Sequence, residues 1–243
     1  MMEDEFHDAT DVPLRYHRDF EQSFPPATGV ELVVFDFDGT LAEQRGSWGL
    51  LYRLFGVEER GAMRTEAFWD DELTFQEWCF GNVIDWRNQG ATREHIERAG
   101  DAIKLTTGAD RLLRTLSKQE IPYGILSSGI TDLIRQIGDF DPVFVRSNDI
   151  EYKESAPVNV DAAVGPFDKG DVLTQICESR DITLDAVMYV GDSHSDLEAF
   201  DVAGIAVLFD PDDRIDADDY ALVDVVIEKR DLSLVCELFD VDP

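Results

Sequence analysis

Four short stretches of the chain carry polar side chains able to do chemistry, and each lies next to an apolar run or an amphipathic pattern. Asp36-Phe37-Asp38-Gly39-Thr40 follows the apolar run ending at Phe35. Two carboxylates two residues apart on extended chain point the same way. Like charges so close call for a cation, and oxygen donors suit Mg²⁺. Ser127-Ser128-Gly129 follows Tyr123–Leu126 and precedes a helical pattern, so a hydroxyl and backbone N–H groups gather where a phosphate could sit. Gly191-Asp192-Ser193-His194-Ser195-Asp196 follows Ala186–Val190 and adds two carboxylates. Lys169, one of only five lysines, stands just before the helical pattern that leads to that run. Singly these signals are ordinary, since an Asp after a strand often caps a helix and a Lys is usually solvated. In this order they describe a site for a phosphate and a divalent cation. His194 is read as a surface-loop residue, and His7, His17 and His95 have no partner by spacing.

Groups that react in open α/β sheets gather past the carboxyl ends of the strands, so the strands come next. Short apolar runs at Glu31–Phe35, Tyr123–Leu126, Val143–Val145, Ala186–Val190, Ile205–Leu208 and Val223–Ile227 read as buried parallel strands. Helical spacing lies between them at Ala109–Lys118, at Thr131–Ile137, after Gly170, and at Asp196–Ala203. Such alternation predicts an α/β fold, a doubly wound parallel sheet with helices on both faces. Between about Glu43 and Thr106 no strand is evident, and all four Trp residues fall there. We therefore expect an acidic N-terminal arm with little fixed structure over 1–29, a core of 30–43 and 107–243, and a small helical cap over 44–106. The aromatic residues of the insertion read as the cap's own core rather than as a substrate cage.

Composition excludes other classes. The 243 residues carry 21 basic and 52 acidic side chains, a net charge of −31, which argues against nucleic acid or an anionic membrane as partner. With 44% hydrophobic residues the chain can build a core. Its longest apolar stretch, Val202–Phe209, is far too short to span a membrane. The acidic start is unlike a secretory signal, and Cys79, Cys177 and Cys236 are too scattered for a zinc site or disulfide framework. These features predict a cytoplasmic protein. The dispersed acidic charge further predicts adaptation to high salt, because about 1 M salt shortens the Debye length to roughly 3 Å and suppresses self-repulsion.

From residue 31 onward the chain resembles the haloacid dehalogenase-like (HAD) phosphohydrolases, and within them the phosphoserine phosphatase-like branch. The resemblance rests on Phe35-Asp-Phe-Asp-Gly-Thr-Leu41, Ser127, Asp168-Lys-Gly170, and Gly191-Asp192 with Asp196. The branch is suggested by Leu73-Thr-Phe75, Thr106-Thr-Gly108 and Ile227-Glu-Lys-Arg-Asp-Leu232. It implies a Rossmannoid core with a helical cap and a Mg²⁺-dependent phosphatase acting on a small phosphorylated metabolite. Asp36 would be the nucleophile, and Asp38 the acid and base. Ser127, Ser128, Gly129 and Lys169 would hold the phosphate. Asp36, Asp192 and the Asp38 carbonyl would hold the metal, with Asp196 behind them or orienting Lys169. A dehalogenase reading is disfavoured, because carbon–chlorine cleavage needs no acid at Asp38.

The substrate-specific positions depart from the branch. Where its members hold an amino acid by a Glu and an Arg, ungapped spacing gives Arg45 and Asn82. A slipped loop would instead assign Glu43 to the amine and Arg87 to the carboxylate. The expectation is thus a phosphomonoesterase for a small organic phosphate. Alternatives are phosphoserine phosphatase proper, a phosphotransferase or mutase, and a non-catalytic binding module.

Overall fold

The computed structural model describes residues 29–136 and 140–239, residues 27 and 138, and the backbone of 14–16. The strands are β1 (Leu14–Tyr16), β2 (Leu32–Phe35), β3 (Tyr123–Ile130), β4 (Val145–Lys153), β5 (Ala156–Asp161), β6 (Val187–Gly191), β7 (Ile205–Phe209) and β8 (Val225–Ile227). The α-helices are α1 (Ser47–Phe55), α2 (Glu58–Trp69), α3 (Phe75–Asn88), α4 (Arg93–Gly100), α5 (Ala109–Lys118), α6 (Thr131–Ile134), α7 (Lys169–Glu178) and α8 (Leu197–Val202). No described helix is long and apolar enough to cross a membrane.

The strands form one sheet in the order β1-β8-β7-β6-β2-β3-β4-β5, parallel throughout except for the antiparallel pair β4/β5. The period of a strand accounts for the layering. Val33 and Phe35 face one side, with Leu112, Leu113 and Leu116 of α5, whereas Leu32 and Val34 face the other, with Leu173 of α7 and Phe200 of α8. β2 lies between β6 and β3, where the direction of winding reverses, so its carboxyl end opens into a crevice.

Three expectations are corrected. Within the 1–29 arm, Leu14–Tyr16 is a strand, paired with Val225–Ile227, and it covers an edge that β8 would otherwise expose. Most of the remaining arm lies outside the described residues. The strand expected at Val143–Val145 is displaced to Val145–Lys153 and turns back as β5. Glu154 and Ser155 both have positive φ there, as a tight two-residue hairpin requires. Finally, β3 continues through Ser127–Ile130, and α6 is a single turn rather than a helix to Ile137.

Helices α1–α4 fill the segment between β2 and α5. Thr74 and Glu77 form a reciprocal cap at the start of α3, with Glu77 N–H to Thr74 Oγ1 at 3.3 Å and Thr74 N–H to Glu77 Oε2 at 2.9 Å. The apolar interior of this group contains Trp48, Trp78 and Trp86, together with Leu133 of α6, Ile150 of β4 and Val160 of β5. The hairpin thus completes the core of the inserted helices. Gln76 ties the two together: its Nε2 donates to Val160 O at 2.9 Å and its Oε1 accepts from Ala162 N–H at 3.3 Å.

Candidate active site

Asp36 is the first residue beyond β2, and its N–H still donates to Val190 O of β6 at 2.9 Å. This ladder bond aims its side chain at the crevice floor, where it is 4% exposed. The ammonium of Lys169, fully buried at the first turn of α7, lies 3.1 Å from Asp36 Oδ1 and 2.7 Å from Asp196 Oδ1. Asp196 Oδ1 also accepts from Tyr189 Oη at 2.7 Å. Its Oδ2 accepts from the N–H groups of Asp192 and Ser193 at 3.1 and 3.0 Å. Asp196 therefore folds the loop after β6 and holds Lys169 against Asp36.

Electrostatics follow from burial. Desolvation pushes the Asp36 carboxyl up to about 7, with Asp196 and Asp38 adding to the rise and Lys169 opposing it. Burial lifts Asp192 to about 9, again with Asp196 and Asp36, against Arg45 and Lys169. For Lys169, burial favours the neutral amine, but Asp196 and Asp36 hold the ammonium above its ordinary range. With Asp36, Asp192 and Asp196 all ionised, the pocket would carry more negative charge than Lys169 and Arg45 balance.

The donor set fits a hard divalent cation. Carboxylate oxygens of Asp36, Asp192 and Asp196 lie within 4.8 Å of one another, all buried. The buried Asp36 Oδ1 is met by the Lys169 ammonium alone, which leaves it acceptor capacity for a cation. Oxygen-only donors with excess charge suit Mg²⁺. Gly39 makes this convergence possible: its φ is +89°, and a Cβ there would fall 2.1 Å from Asp192 Oδ2.

Asp38 stands apart from that cluster. Its Oδ2 accepts from Ser47 N–H at 2.8 Å and Ser47 Oγ at 2.6 Å, which aims the carboxyl toward the strand β3 side. Burial raises its pKa, and the two Ser47 donors oppose the rise. On β3, Ser127 is 1% exposed and its Oγ accepts from Gly129 N–H at 3.1 Å, which leaves the hydroxyl proton available. A Cβ on Gly129 would approach Asp38 Oδ2 at 2.9 Å and Ser127 Oγ at 3.2 Å, so Asp38 and Ser127 flank this glycine. Ser128 presents its carbonyl to Trp48 Nε1 at 3.0 Å and Asn148 Nδ2 at 2.8 Å. Asn148 bonds Val164 at both its N–H and its carbonyl, 2.9 and 3.0 Å away, and so braces the loop.

The candidate specificity residues do not assemble. Arg45 turns toward the core, with Nη1 2.8 Å from Asp192 Oδ2 and Nη2 2.7 Å from Asp210 Oδ2, and Arg230 also pairs with Asp210. Arg45 therefore engages a carboxylate of the acidic cluster. Asn82 is fully buried, and its Oδ1 accepts from Arg64 Nη1 at 2.6 Å. Glu43 and Arg87 are exposed, as is His194. Sequence reasoning missed Ser47, Tyr189, Asn148 and Arg64. Nothing in local pattern marks them, because each acts on a partner brought near only by the fold.

The haloacid dehalogenase-like hydrolase family profile matches residues 33–201. Phosphoserine phosphatase SerB2 of Mycobacterium tuberculosis is 27% identical over 183 residues, covering 73% of this chain and 44% of that protein. The chain thus spans under half of that relative. Phosphoserine phosphatase of Halobacterium salinarum is 28% identical over 195 residues, covering 76% of this chain and 89% of that protein. A solved substrate-bound phosphoserine phosphatase complex shares the fold, with a TM-score of 0.68 at 24% identity, over 86% of this chain and 97% of that one. With well over half of its length matched by the family profile, the chain belongs to the haloacid dehalogenase-like hydrolases.

Proposed function

We propose that this hydrolase is a Mg²⁺-dependent phosphomonoesterase for a small organic phosphate, and that it works through an aspartyl-phosphate on Asp36. The observation that carries the reading is the buried meeting of Asp36, Lys169, Asp192 and Asp196 at the point where the sheet reverses its winding, with Asp38 and Ser127 beside it. Asp36 attacks phosphorus, and the ester P–O bond breaks. Asp38 gives its proton to the departing alkoxide, then takes one from the water that splits the Asp36–phosphorus bond and releases inorganic phosphate. Ser127 donates to a phosphoryl oxygen, while Lys169 neutralises charge on Asp36 and the phosphoryl group. Asp36, Asp192 and the Asp38 carbonyl would hold the metal, which when bound supplies positive charge for the phosphate. Asp196 positions Lys169. The inserted helices serve as a cap that excludes water.

Replacing Asp36→Asn tests the reading. Phosphate release from p-nitrophenyl phosphate is expected to vanish while thermal unfolding remains cooperative; retained turnover removes Asp36 as nucleophile. Phosphoserine is the second reading, favoured by the relatives named above. Arg45, turned to Asp192, and Asn82, held by Arg64, leave its amine and carboxylate without the expected partners. The acidic composition and three buried free thiols support a cytoplasmic location.

A further inference from the structure

A cavity of about 120 Å³ opens between the inserted helices and the core. Its walls include Trp48, Phe68, Trp69, Phe75 and Trp78 from the helices, and Ser128 from the core. No charged side chain lines it. Two walls are joined by the chain itself to proposed catalytic groups. Trp48 follows Ser47, which holds Asp38, and Ser128 follows Ser127, so two wall residues are direct chain neighbours of groups at the proposed site. The Trp48 Nε1 bond to Ser128 O at 3.0 Å closes these two walls against each other.

From this placement we infer that the substrate's leaving group is a compact apolar alcohol, one aromatic ring or a short branched hydrocarbon. The inference rests on the phosphomonoesterase reading and names its substrate class. Size sets a limit: at about 120 Å³ the cavity is somewhat smaller than the apolar cavity of roughly 150 Å³ that holds one benzene, so only a compact group fits. The aromatic faces offer broad apolar contact, and their edges offer favourable ring–ring geometry. An ammonium or carboxylate carried into this cavity would lose its hydration with no opposite charge to replace it. The aromatic side chains thus have a double role. Trp86, fully buried, is interior packing, as the sequence reading holds for all of them. Trp69, 48% exposed, is part of the cavity wall.

The experiment compares kcat/KM for benzyl phosphate, methyl phosphate and phosphoserine in the Mg²⁺-supplemented protein, and then in Trp69→Ala. Benzyl phosphate is expected to exceed methyl phosphate by roughly 10- to 100-fold, the worth of burying one ring. Trp69→Ala is expected to lower that benzyl-to-methyl ratio about three- to tenfold while the absolute rates are free to change. Phosphoserine faster than benzyl phosphate, or an unchanged ratio in the variant, overturns the inference and leaves the phosphatase reading standing. If no ester releases phosphate, the phosphatase reading falls instead. Tryptophan fluorescence titrated with benzylphosphonate then decides the cavity, since saturable change that Trp69→Ala weakens supports it and no change refutes it.

Discussion

Lys169→Met removes a buried charge without changing the length of the side chain much, and the structure sets the expected size of the effect. The ammonium is fully buried, 2.7 Å from Asp196 and 3.1 Å from Asp36. Without it, three buried carboxylates share a space less than 4.8 Å across, with Arg45 the remaining cation in contact with them. Breaking a buried pair by removing one partner costs about 3–5 kcal/mol, or roughly 6–20 °C in Tm for a domain this large. The penalty must depend on pH with a definite sign. Asp36 and Asp192 are raised to about 7 and about 9 already, and loss of Lys169 raises both further. A carboxyl raised in the folded state destabilises when ionised, and that cost is relieved as pH falls through the folded value toward the unfolded one. Metal-free wild type and variant should therefore differ more near pH 8 than near pH 5. Differential scanning calorimetry in EDTA measures the gap at both. A gap that is the same at both, or absent at the higher pH, would refute the account of the cluster. Turnover should fall by about 10²–10³, the usual cost of losing one preorganised charge donor.

Ser47→Ala removes the 2.6 Å hydroxyl donor to Asp38. It should lower kcat/KM roughly 10- to 100-fold at constant fold, as expected for a hydrogen bond to a charged group; steady-state kinetics with unchanged values would separate Ser47 from Asp38. Gly39→Ala places a Cβ against Asp192 at a backbone φ of +89°. Isothermal titration should show Mg²⁺ binding weakened by about tenfold or more, since the residues that orient a ligand are worth that much. The charge of −31 predicts that Tm falls on dialysis from molar to low salt; a Tm indifferent to salt would remove the adaptation argument.

Asp36, Asp38, Lys169, Asp192 and Asp196 were legible in sequence because each sits a fixed step beyond an apolar strand or at a helix start, where local pattern and topology coincide. The parallel order followed from the alternation of elements. The β4–β5 hairpin was not legible. Its residues Arg146-Ser-Asn-Asp-Ile-Glu-Tyr-Lys153 are largely polar, and their buried members, Ser147, Asn148 and Ile150, are satisfied by α6, Val164 and the inserted helices rather than by a continuous core. Ser47 could not be found because its function depends on a nine-residue return of the chain to Asp38. Arg45, which spacing puts at a substrate position, is paired by the fold with Asp192 and Asp210.

The amide of Gln76 touches the hairpin as another strand would, with one donor and one acceptor, while the indole of Trp48 fastens the opposite side to the Ser128 carbonyl. Any swing of the inserted helices away from both the hairpin and β3 must break these fastenings. In the proposed phosphatase, opening of this helical roof would then depend on two uncharged side chains, and either can be replaced without touching a single acidic residue.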